Sequence, residues 1–269
     1  MNPDNPIGIF DSGIGGLTVA HAINKVLPNE KIIYFGDIQH LPYGNKSSTK
    51  ILNYCEKIVD FLIQKKCKAI VIACNSASAI AYKLLLKKKS KECLLFNVID
   101  PVVNQVINNT CIKNIGVIGT LATIQTDIYR TSIEEKRLDT KVRSLATPLL
   151  ASLIEEDDNQ LYKNGIIESY LSHKNLKNID TLILGCTHYP MIQSKISAYY
   201  NNKITILNAL KYIGHEVYIK LKKSDLLNSN NENPPKHNFF VSDYTENFQK
   251  KTKLFFPTEI ILKEVNIFS

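Results

Sequence analysis

The sequence predicts an α/β protein made of two doubly wound parallel-sheet halves, and three observations carry that reading. Short apolar runs ending in small or polar residues recur along the chain, each followed by a stretch with helical apolar spacing. Two landmarks repeat at nearly the same offset, which marks a duplicated design. A length of 269 residues with 44% hydrophobic content is enough for about two compact units of ~100 to 200 residues each.

The apolar runs at 7–10, 31–35, 69–73, 94–99, 115–118, 181–184 and 204–207 read as strands. Helices are expected at 17–26, 50–64, 78–87, 126–136, 160–172 and 191–200. The repeat pairs Ile7-Gly8-Ile9-Phe10-Asp11-Ser12 with Ile115-Gly116-Val117-Ile118-Gly119-Thr120, Gly8 and Gly116 lying 108 positions apart. It also pairs Ala69-Ile70-Val71-Ile72-Ala73-Cys74-Asn75 with Thr181-Leu182-Ile183-Leu184-Gly185-Cys186-Thr187, with Cys74 and Cys186 separated by 112. Buried parallel strands all look alike as Val/Ile/Leu runs. That likeness does not put a cysteine at the end of each. Residues 224–238, rich in Asn, Ser, Lys and Pro, read as an exposed connector without chemistry.

Charge and composition exclude several classes. Lys plus Arg (33) against Asp plus Glu (25) leaves +8, and the pI is about 9.0. Only Arg130, Arg137 and Arg143 carry the forked guanidinium that nucleic-acid readers favour, so no nucleic-acid partner is expected. Asn75, Ser76 and Ser78 interrupt the longest apolar stretch, so a membrane span of ~18 residues is not expected. Met1 to Pro6 carries Asp4 and no basic leader, so a reducing cytoplasm is the expected compartment for the six cysteines. There is no C-x-x-C pair, and Cys186 with His188 supplies two of the four ligands of a structural zinc site, so no metal is expected. The runs at 87–89 and 155–158 read as solvated surface, Glu155 excepted, and His21, His40, His173, His215 and His237 as surface or structural residues.

In open α/β sheets the functional crevice lies beyond the carboxyl ends of the strands. Four motifs occupy that place: Asp11-Ser12-Gly13-Ile14-Gly15-Gly16; Gly36-Asp37 with Pro42-Tyr43-Gly44; Cys74-Asn75-Ser76; and Cys186-Thr187-His188-Tyr189-Pro190. The first invites a dinucleotide-binding reading, with Asp37 closing the next strand. Against it, Thr18 stands at the third fingerprint position, and Asp11-Ser12 puts an acid where pyrophosphate should sit. The same turn offers backbone N–H groups and the Ser12 hydroxyl to a small carboxylate, and Tyr43-Gly44 could act similarly.

Cys55, Cys67, Cys93 and Cys111 lack polar neighbours and read as small buried hydrophobes. Cys74 and Cys186 instead sit at strand ends among hydroxyl, amide and imidazole groups. An ordinary thiol of pKa ~8.5 is only about 3% ionised at pH 7, and a helix N-terminus or a histidine raises that share. Two thiols facing one substrate from opposite sides suit inversion at a carbon bearing hydrogen, where one takes a proton as the other delivers one. A cysteine protease or a disulfide oxidoreductase would not explain the duplication.

At these motifs the chain resembles the bacterial glutamate racemases, cofactor-independent enzymes of the aspartate/glutamate racemase family. The likeness runs through the four motifs in order over most of the first 210 residues. It implies that Cys74 removes the α-proton of D-glutamate and Cys186 that of L-glutamate, with Asp11 and His188 assisting. Glu155 matches the family's additional active-site glutamate, and Ser12, Tyr43, Gly44, Asn75, Ser76 and Thr187 would line the substrate pocket. Racemisation of glutamate for peptidoglycan synthesis in a bacterial cytoplasm, without cofactor or metal, is the implied function. The implied fold is two domains related by a pseudo-twofold axis with the site between them, 1–97 plus 207–269 and 98–206, the tail returning to the first.

Ser76 stands where the family usually has Thr, Thr147 replaces a common Cys, and Asn208 replaces an acid. No pyridoxal phosphate cup is recognisable. The residues leave open a racemase acting on aspartate, a binding protein without turnover, and a homodimer.

Overall fold

The computed structural model describes residues 1–155, 160–229, 235–256 and 260–268. Strands β1 (Ile7–Asp11), β2 (Ile32–Gly36), β3 (Ala69–Ile72) and β4 (Leu94–Asn97) alternate with helices α1 (Gly15–Val26), α2 (Ser48–Gln64) and α3 (Asn75–Lys89). Helix α4 (Asp100–Ile107) leads into β5 (Asn114–Gly119), β6 (Lys141–Ala146), β7 (Thr181–Gly185) and β8 (Thr205–Leu207). Between these strands lie α5 (Leu121–Gln125), α6 (Ile128–Glu134), α7 (Leu150–Glu155), α8 (Gln160–Leu171) and α9 (Gln193–Tyr199). The chain closes with α10 (Ile213–Lys223), β9 (Asn238–Val241), α11 (Glu246–Thr252) and β10 (Leu262–Glu264).

The strands form two sheets, ordered β10-β9-β2-β1-β3-β4 and β6-β5-β7-β8, with every pairing parallel. The expected α/β fold with two parallel sheets is therefore present. The order β2-β1-β3-β4 in the first sheet recurs as β6-β5-β7-β8 in the second, and the register recurs with it. Ile7 pairs with Ala69 just as Ile115 pairs with Thr181. The tail returns to the first sheet because β9 pairs with β2 and β10 with β9.

Both faces of each sheet are covered, which is why its strands read as unbroken apolar runs. Alternate side chains point to opposite faces. In the first sheet Ile9 and Val71 pack with Leu17 and Val217, whereas Phe10 and Ile70 pack with Ile51 and Leu62. In the second, Val117 and Ile183 meet Val106 and Ile133, while Ile118 and Leu184 meet Leu153 and Ile196.

Several local expectations are corrected. The single helix expected at 126–136 breaks at Asp127, whose φ of 55° is left-handed, and α6 begins only at Ile128. Strand β6 was missed: its sequence KVRSLA alternates charge with small residues and carries no apolar run. Cys111 is exposed rather than buried, unlike Cys55, Cys67 and Cys93. The connector expected at 224–238 is not wholly exposed, since Leu226 is buried and the Asn228 N–H donates to Glu30 Oε1 at 2.9 Å. Residues 230–234 of that segment, and Glu156, Asp157 and Asp158 of the acidic run, lie outside the described residues. Among the described residues no helix is long and apolar enough to cross a membrane.

Candidate active site

Strand β1 ends in Asp11, which is fully buried. Its Oδ2 accepts the N–H groups of Gly16 at 2.7 Å and Gly13 at 3.3 Å. Only glycine fits at 16, because a Cβ there would lie 2.3 Å from the Cβ of Asp11. The expected capture of a small carboxylate by the turn's N–H groups is narrowed: those of Gly13 and Gly16 are already held by the chain's own carboxylate. The Ser12 hydroxyl lies 3.8 Å from the Cys74 sulfur.

Strand β3 runs into Cys74, the residue that caps the N-terminus of α3. The helix end favours a thiolate there. Burial and the negative charge of Asp11 oppose it and prevail, pushing the Cys74 thiol far above its ordinary value. Cys74 therefore holds its proton. Burial also raises the carboxyl of Asp11, against the pull of His188.

The second half replaces this acid with a histidine. Strand β7 delivers Cys186, whose sulfur lies 3.6 Å from His188 Nδ1, and His188 Nε2 sits 2.6 Å from Glu155 Oε1 at the end of α7. Burial disfavours the imidazolium, but the Cys186 sulfur and the Glu155 carboxylate outweigh it and hold His188 well above the usual histidine range. Each sulfur thus has a partner of opposite character: an acid at Cys74, a cation at Cys186.

Both cysteines line one cavity of about 100 Å³. Ser12, Tyr43, Gly44, Asn75, Ser76, Glu155, Thr187 and His188 line it with them. Asp11 alone of the expected residues does not line it and stands behind Cys74. The halves are stitched at the rim: Asn75 Nδ2 donates to the Tyr129 hydroxyl at 2.8 Å, and the Ser76 and Thr120 hydroxyls meet at 2.8 Å. The departures are accommodated too, Thr147 meeting the Tyr189 hydroxyl at 2.7 Å and Asn208 donating to Gln193 at 2.6 Å.

Pro42 of the second motif lines the cavity too, whereas the sequence reading assigned no site role to Leu41, Thr120, Ala151 and Ser152, which also line it. Thr120 was within reach, since it stands 108 positions after Ser12, the offset that relates Gly8 to Gly116. The others carry no chemical signal and are brought in by the fold. Among the described residues no group of three or more His, Cys, Asp or Glu side chains could hold a metal ion.

A family model described as Asp/Glu/hydantoin racemase matches residues 15–211. The chain belongs to that family. The racemase is 37% identical over 258 residues to a glutamate racemase of Chlorobaculum parvum, covering 95% of this chain and 94% of that one. Among solved structures it is similar to a glutamate racemase of Francisella tularensis in complex with D-glutamate, with 36% identity, a TM-score of 0.90 and 99% of each chain covered. A glutamate racemase isoform of Bacillus anthracis gives 34% identity, a TM-score of 0.90 and 98% of each chain covered.

Gly15 is a close-approach point between this racemase's two halves. A Cβ there would fall 2.4 Å from Thr187 Oγ1 and 2.8 Å from His188 Cε1. Gly15→Ala is expected to shift His188 off Cys186 and lower turnover by about 10²-fold, since displacement on the order of 1 Å at a catalytic group has that effect. A variant that folds and keeps wild-type turnover would show that the approach does not matter.

Proposed function

We propose that this chain interconverts L- and D-glutamate by two-base proton transfer without a cofactor. The observation that carries the reading is the pair of cysteines at repeat-related strand ends, lining one cavity with partners of opposite character. Cys186, facing the protonated His188, takes the α-proton of L-glutamate, and Cys74, which keeps its own proton, delivers that proton to the opposite face. In the reverse direction Cys74 takes the proton of D-glutamate, with Asp11 assisting, and Cys186 supplies the other. The pairing rests on charge: a cation stabilises negative charge on one sulfur, and an anion keeps the proton on the other.

The α-proton of an amino acid is very weakly acidic, so the pocket must stabilise carbanionic charge in the transition state. Hydroxyl, amide and backbone donors at Ser12, Asn75, Ser76, Thr187 and Tyr43-Gly44 hold the substrate carboxylates, and a small, enclosed cavity strengthens each contact. The reading treats 1–97 with 207–269 and 98–206 as the two units whose junction forms the site. Its product, D-glutamate, would supply peptidoglycan synthesis in the cytoplasm of a bacterium.

Incubation of the purified protein with either glutamate enantiomer in D₂O tests this. The α-hydrogen of the newly formed enantiomer should be deuterium, and aspartate should not be turned over. Binding of glutamate without exchange would mark a non-catalytic binding protein, and exchange confined to aspartate would move the substrate.

A further inference from the structure

The motif Gly36-Asp37 stands beside the site, but no step of the reaction uses it. Asp37 directly follows β2, is 0% exposed, and lies outside the cavity lining. A carboxylate so placed must be met by donors. Three converge on it: the Tyr43 hydroxyl at 2.6 Å, the Ser242 hydroxyl at 2.8 Å and His40 Nδ1 at 2.9 Å. Tyr43 is itself buried at 1% exposure and lines the cavity beside Gly44.

Two of these contacts trace back to the end of the chain. Ser242 follows β9, and the pairing of Val241 with Gly36 sets it against Asp37. The Ser242 N–H donates to the Gly36 carbonyl at 3.0 Å, and its hydroxyl accepts the Gln39 N–H at 3.0 Å. His40 is stacked on Tyr54 with ring centres 3.9 Å apart and backed edge-on by Phe268 at 4.6 Å. The Phe268 carbonyl in turn accepts from Lys57 Nζ at 2.9 Å.

We propose that Ser242, and His40 backed by Phe268, are positioning residues that hold Asp37 and through it fix the Tyr43-Gly44 wall against which the substrate binds. The inference rests on the racemase reading above and deepens it: the returning tail is an outer layer of the active site as well as two more strands. Removing a brace lets the wall relax, which weakens substrate binding and leaves the two sulfurs in place.

The test is a double-variant comparison on the full chain. Wild-type exchange in D₂O is measured first, so a failure of the glutamate reading registers there. Ser242→Ala is then expected to raise KM for both enantiomers by about 3- to 10-fold with kcat changed less than about 2-fold, the pattern of lost binding shared by ground and transition states. In a Tyr43→Phe background, where the link to Asp37 is already cut, Ser242→Ala should add less than about 1.5-fold, because residues acting through one network do not add. Phe268→Ala reads the second brace and replaces Ser242→Ala if that variant fails to fold. An unchanged KM in a folded brace variant, or effects that multiply in the double variant, overturns the proposal.

Discussion

Cys74→Ala and Cys186→Ala are each expected to reduce racemisation by at least about 10³-fold in both directions, while Cys55→Ala stays within about 3-fold of wild type. Proton transfer by a positioned side chain contributes roughly 10² to 10⁴-fold. Inversion needs one such group on each face, so removing either sulfur stops the whole cycle. Cys55 is equally buried but packs in the apolar layer with Phe10 and Ile58. Its loss leaves a small cavity worth about 1 kcal/mol of stability and removes no proton carrier. Following the circular-dichroism signal of glutamate from each enantiomer measures this. Wild-type racemisation in either of the first two variants would contradict the two-base assignment.

Asp11→Asn and His188→Asn are expected to produce opposite isotope signatures. The two enantiomers have equal free energy, so kcat/KM must fall equally in both directions in any variant, here by about 10- to 100-fold. The asymmetry lies in which barrier limits. Asp11 sits against Cys74, and replacing it raises the barrier for making and breaking the C–H bond on the D side. The primary isotope effect with α-deuterated D-glutamate should therefore grow, and that with α-deuterated L-glutamate should shrink. His188→Asn acts on the Cys186 side and should reverse the pattern. Isotope effects that change in the same sense for both enantiomers would undo the pairing of each thiol with its neighbour.

The strands of both halves were legible wherever burial on two faces demands a continuous apolar run, as at Ile7–Asp11 and Thr181–Gly185. Two edge strands escaped for the complementary reason. Lys141–Ala146 and Leu262–Glu264 each pair on one side only and tolerate Lys141, Arg143, Lys263 and Glu264. The left-handed turn at Asp127 was invisible because Ile124 and Ile128 keep an i, i+4 helical spacing across it. Chemistry was legible where a reactive residue follows a strand, which picked out Cys74, Cys186 and their neighbours. Leu41, Ala151 and Ser152 enter the cavity through loop and helix placement, which apolar spacing does not record.

The sequence by itself determined the alternation of strand and helix, the duplication, and the two cysteines at matching strand ends, because burial periodicity and strand-end position are properties of the local chain. Tertiary structure alone decided that Asp11 holds the turn amides, that Glu155 clamps His188, and that Asp37 gathers Tyr43, His40 and Ser242. These contacts join residues up to 205 positions apart. Their strength comes from excluding water around charges that the linear order never brings together.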